Sequence, residues 1–164
     1  MKKIAALAYS AITTKEHLDR LRQSARVRGV EMSVIFVTKA DEIGPALDAA
    51  RAAGCEAINF LANPLQVISR TMILDAMSRI KLPAIYQWPE TAELGGLIGY
   101  GPIFDQVYRQ RARQIAKIFR GATAAEVPVE QPAKFSLAIN LKTAKAIGHT
   151  IPEGLLLRAD KVIE

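Results

Sequence analysis

Apolar and polar positions switch between two periods along this chain. Residues 4–9 form a short apolar run suited to a buried parallel strand. Residues 14–28 then place Leu18, Leu21, Ala25 and Val27 on or near one helical face, and Gly29 ends that helix. Residues 31–37 predict a second strand, residues 43–53 a second helix stopped by Gly54, and residues 56–61 a third strand. After the loop Ala62-Asn63-Pro64, residues 67–80 carry Ile68, Met72 and Ala76 at helical spacing beside Ile73 and Met77. Residues 82–87 predict a fourth strand, residues 91–93 one helical turn, and residues 94–99 a fifth strand broken by glycine. A long helix over 102–120 and a Pro-rich connector lead to residues 134–140, where Phe135, Leu137 and Ile139 alternate with Ser136, Ala138 and Asn140. Asn140 occupies an N-cap position for a short helix over 141–147, Gly148 closes it, and Pro152 opens a further helical segment.

Strands alternating with helices predict an α/β fold: a three-layer, mostly parallel, doubly wound sheet in flavodoxin-like order. A chain of 164 residues with half its positions hydrophobic can bury a sizeable core as one domain, residues 1–164. Only the stretch 121–133, rich in Ala, Pro and Glu, departs from globular composition.

The net charge of +6 raises nucleic acid as a partner. The basic residues are spread along helices and mixed with acids, however, and no zinc-finger spacing or basic run with interleaved aromatics occurs. No nucleic acid is expected. Cys55 stands alone, so no internal disulfide can form, and a small, partly buried role is expected for it. His17 and His149 lie far apart without a carboxylate pattern, so no metal site is predicted. G-x-S-x-G, H-E-x-x-H, P-loop and G-x-G-x-x-G motifs do not occur, and no catalytic residue or cofactor is assigned. A receiver-type phosphoacceptor would need Asp after the third strand, where this chain has Leu61-Ala62-Asn63.

In an open parallel sheet, ligands bind beyond the carboxyl ends of the strands. That rule selects Tyr9, Ser10, Ile12 and Thr13 after the first strand, Asn63 and Pro64 after the third, Gln87, Trp88 and Glu90 after the fourth, and Tyr100 near the end of the fifth. Aromatic, amide and hydroxyl groups suit a small organic ligand held by stacking and neutral hydrogen bonds. Each has a plainer role beside it: Trp88 as a sheet-edge cap, Asn63 as a turn residue, Ser10 as a helix cap.

The segment F-S-L-A-I-N-L-K-T-A-K-A-I-G-H-T-I-P, preceded by V-P-V-E-Q-P and followed by L-L-L-R-A-D-K-V-I-E, resembles the C-terminal end of ABC-transporter substrate-binding proteins of the two-lobed periplasmic type, which include tryptophan- and tyrosine-binding examples. Gly95-Gly96-Leu97, Tyr100-Gly101, Tyr108-Arg109 and Leu82-Pro83-Ala84-Ile85-Tyr86 match in the same order. The resemblance covers essentially this whole chain but only the second half of such a protein. It implies one lobe of a type I periplasmic binding protein whose carboxyl edge faces the cleft between lobes, where Tyr9, Ser10, Thr13, Asn63, Gln87, Trp88 and Tyr100 from the strand-end rule are expected to meet a ligand such as an amino acid, with an ABC permease as partner of a full-length form and a periplasmic location. Lys2-Lys3 followed by apolar residues 4–8 is too short for a signal-peptide core, so the chain as written would stay in the cytoplasm. A cytoplasmic ligand-sensing or interaction module and a small flavodoxin-like enzyme remain as alternatives.

The helix over 102–120 carries Phe104, Tyr108, Ala112, Ile115 and Phe119 on one stripe. On the pattern alone this stripe packs on the chain's own sheet. The resemblance implies instead that it meets the first lobe, so in this chain it is expected to project or to cover a neighbouring copy in a homodimer.

Overall fold

The computed structural model describes residues 2–132 and 134–164. Seven strands form one sheet: β1 (Lys3–Tyr9), β2 (Glu31–Val37), β3 (Ala57–Phe60), β4 (Ala84–Tyr86), β5 (Ile98–Pro102), β6 (Phe135–Asn140) and β7 (Lys161–Ile163). Their order is β2-β1-β3-β4-β5-β6-β7, and every pairing is parallel except β5 with β6. The first five strands follow the flavodoxin-like order that right-handed crossovers produce.

Strand alternation splits the core between the two faces. Ala5, Leu7, Ile58, Phe60, Ala84 and Tyr86 face helices α2 (Ile43–Ala52) and α4 (Arg70–Ile80), which contribute Ile43, Leu47, Ile73, Met77 and Ile80. Ala6 and Ala8 turn the other way, towards Leu18 of α1 (Lys15–Val27). Thr14 caps α1 by accepting from His17 N at 3.2 Å. Cys55 is buried, with Sγ 3.6 Å from Ser33 Oγ.

Several boundaries differ from the pattern-based expectation, each for a local reason. The helix expected over 67–80 is two helices, α3 (Pro64–Ile68) and α4, parted at Ser69. The fifth strand begins at Ile98 rather than 94, because Gly95 takes φ +110 and the chain is still turning there. Strand β7, three residues long, had no alternation long enough to read.

Gly99 and Gly101 are what let β5 lie against the loop after β4. A Cβ on Gly101 would stand 1.8 Å from the Gln87 carbonyl oxygen, and one on Gly99 2.4 Å from that of Trp88. Asn140 ends β6 and caps α7 (Leu141–Ile147), accepting from Thr143 N at 2.9 Å while its amide donates to Ala92 O at 2.8 Å. Ala92 belongs to α5 (Glu90–Glu93), so this one side chain ties β6 and α7 to the segment after β4. The short α8 (Glu153–Leu156) leads into β7.

Helix α6 (Phe104–Phe119) corrects the pattern-only expectation that its stripe packs on this sheet: none of its residues is buried. Phe119 is 87% exposed, and Tyr108, Ile115 and Ile118 are open as well. Among the described residues it is held at its start by Glu90 and Trp88, and further along by Gln114, whose Nε2 donates to Pro128 O at 3.1 Å.

Candidate functional site

The carboxyl edge of β3, β4 and β5 carries two adjoining hollows. Asn63 starts this arrangement. Its Oδ1 accepts from Gln66 N at 3.0 Å, which caps α3, and its Nδ2 donates to Leu61 O at 2.7 Å, which ties the cap back to the end of β3. Gln66 also donates to the Leu61 carbonyl. Pro64 takes the first helical position, where no N–H is needed. Helices α3 and α4 thereby bring Gln66, Val67 and Arg70 to the rim.

Opposite them, the loop after β4 presents Trp88, whose ring meets Phe104 edge-on at 4.9 Å between centroids. Phe104 in turn packs on Tyr108 at 4.5 Å. Glu90 fixes the start of α6: one carboxylate oxygen accepts from Phe104 N at 2.9 Å. The other is buried and accepts no hydrogen bond among the described residues.

The Trp88–Phe104 pair, with Val67, forms a wall shared by both hollows. The more enclosed, about 160 Å³, runs inward past Arg70, Gln66 and Glu90 to Tyr86. Tyr86 stacks on Phe60 at 4.8 Å, and burial pushes its hydroxyl pKa well above the usual phenol range. The wider hollow, about 440 Å³, opens outward between Asn63, Pro64, Gln87, Tyr108 and Arg111. Arg111 lies over the Tyr108 ring at 5.4 Å. Aromatic walls with a few polar groups at the mouth suit a small organic molecule with an apolar body.

Asn63, Gln87 and Trp88, singled out from the sequence, therefore come together around these hollows, with Pro64 and Glu90. Tyr9 ends β1, Ser10 and Thr13 follow it, and none of the three lines either hollow. There Tyr9 O accepts from Thr13 N at 3.1 Å, Ser10 N donates to Val37 O at 3.1 Å, and Ile12 is exposed. Tyr100 lies across the sheet. Its neighbours Gly99 and Gly101 face the Gln87–Pro89 backbone, so by alternation its ring turns to the other face, 6.0 Å from Phe135. Among the described residues no cluster of His, Cys, Asp and Glu could hold a metal ion.

The family model described as ABC transporter substrate binding protein matches residues 1–163. The chain belongs to that family. Solved structures agree on the fold. The ABC domain from Streptococcus pneumonia in complex with L-Trp aligns with a TM-score of 0.86 at 23% identity, over 99% of this chain and 55% of that one. A conserved domain protein from Vibrio cholerae gives 0.86 at 23%, over 98% and 54%. A ligand-free, open substrate-binding protein with adhesive properties from Clostridium difficile gives 0.67 at 18%, over 99% and 54%. The chain thus spans about half the length of these relatives. No curated protein matches it significantly.

Seen as a member of the substrate-binding family, the chain holds rim residues that sequence reasoning passed over: Gln66, Arg70, Phe104, Tyr108 and Arg111. Asn63-Pro64 was the signal for the first two, since an Asn N-cap followed by Pro starts a helix at residue 64 rather than 67.

Proposed function

We propose that this chain is a solute-binding lobe of an ABC-type importer and holds a small organic ligand, an amino acid being the leading class, at the carboxyl edge of its sheet. The observation that carries the reading is the pair of hollows on either side of Trp88 and Phe104, in a chain of the substrate-binding family. Asn63 and Gln87 shape the mouth, and Tyr9, Ser10 and Thr13 extend the rim towards β1. Tyr100, also expected to contact ligand, has its ring on the other face of β5 beside Phe135 and would do so apart from these two hollows. The protein binds and presents its ligand rather than transforming it, acts in the periplasm, and delivers to an ABC permease. One lobe supplies part of the contacts, so affinity is weak until a second wall closes over the rim.

The uncovered stripe of α6 supports a homodimer, in which Ile115, Ile118 and Phe119 meet a second copy. Calorimetric titration with aromatic amino acids tests the binding role: heat is expected with the chain as it stands and none with Trp88→Ala. Equal heats for both proteins would remove the rim from consideration. Light scattering tests the dimer, which Phe119→Glu is expected to split.

A further inference from the structure

We infer that the ligand taken at this rim carries a carboxylate, and that Arg70 and Arg111 read that group. The inference rests on the rim being the ligand site and adds that charged group and the residues that read it. Apart from Glu90, the residues chosen from the sequence were neutral, but the fold puts a guanidinium at each hollow: Arg70 lines the enclosed one and Arg111 the open one, on either side of Trp88 and Phe104. Neither arginine makes an ion pair among the described residues.

The acids that could neutralise them are engaged or hidden. Glu90 spends one oxygen on Phe104 N and buries the other. Asp105, at the start of α6, is held by Arg109 Nε at 2.7 Å. Arg111 rests on the Tyr108 ring, which orients a guanidinium without consuming its hydrogen-bond donors. Guanidinium forks beside aromatic walls fit a planar carboxylate on an apolar body, since the fork matches two carboxylate oxygens and the walls take the rest. A cationic amine would meet two like charges there, and the one carboxylate in the lining, Glu90, has one oxygen bonded to Phe104 N and the other buried.

Trp88 is the chain's only tryptophan, so its fluorescence reports on the rim directly. The test titrates hydrocinnamate, hydrocinnamamide and phenylpropylamine, which share an aromatic body and differ in charge. Hydrocinnamate is expected to shift Trp88 emission at a concentration about tenfold lower than the amide, and the amine to bind worst. Arg70→Gln and Arg111→Gln are each expected to shrink that preference by about threefold to fivefold while leaving the amide curve in place. Arg51→Gln, at the end of α2 on the opposite edge of the sheet, removes the same charge and is expected to change nothing. Equal binding of all three probes, or an equal loss in Arg51→Gln, overturns the assignment to these arginines while the rim stands. Silence of Trp88 to all three overturns the rim, and this inference with it.

Discussion

Helices α4 and α6 are both amphipathic, and the stripe on α6 is the longer of the two. Yet α4 sinks Ile73, Ala76, Met77 and Ile80 into the core, whereas α6 buries nothing. Burying a large aliphatic side chain contributes about 1.5–3 kcal/mol, so α4 helps to hold the domain together by packing alone. Helix α6 has no such source in this chain. It keeps its place through the Glu90 contact at its start, the Trp88–Phe104 ring contact and the Gln114 bond to the connector, while an Asp105–Arg109 pair one turn apart supports the helix itself. An apolar stripe records that a helix needs a cover, without recording which surface supplies it.

Substitutions can break this contrast. The largest effect is expected for Ile73→Ala, at about 2–5 kcal/mol in urea denaturation, against less than about 1 kcal/mol for Ile115→Ala in dilute protein. Comparable losses would mean that the α6 stripe is covered after all. Gly101→Ala comes next, at about 1–3 kcal/mol, because its Cβ would press on the Gln87 carbonyl and force β5 from the loop that carries Trp88. A shifted Trp88 emission should accompany that loss.

Asn140→Ala is expected to remove about 1–2 kcal/mol, since one side chain supplies both the α7 cap and the bond to Ala92. The smallest effect has the opposite sign and again separates the two helices. Helix α4 ends on Lys81 at φ +52, a left-handed conformation that costs a side chain energy, whereas the turn after α6 gives the same task to Gly121 at φ +102. Lys81→Gly is expected to stabilise the protein by about 0.5–1 kcal/mol, visible as a raised Tm. No gain would mean that Lys81 offsets its strain by other contacts.

The same contrast explains what could be read from residue order. Strand β2 and helix α7 were legible to the residue, because a run of alternation or a cap at each end marks them. Strand β5 was misplaced at its start because the apolar pattern does not show that the chain is still turning at Gly95, with φ +110. At the rim, Asn63, Gln87 and Trp88 were legible because strand ends are. Arg70 and Arg111 sit on helices, and only the angle at which α3, α4 and α6 leave the sheet brings them to the hollows. Tyr100 lay close to a strand end in sequence, but the parity of β5 decides the face to which it turns.

The route of the chain between β5 and β6 carries a consequence for how the protein assembles. Strands β1 to β5 are joined by crossovers of 11 to 23 residues, whereas 32 residues separate the end of β5 at Pro102 from the start of β6 at Phe135. That longer closure adds roughly a few tenths of a kcal/mol to the docking of the last two strands, and α6 contributes no buried residue to offset it. The sheet therefore ripens from the β1 side, and hydrogen–deuterium exchange should find the amides of β6 and β7 opening as a unit while those of β1 and β3 stay protected.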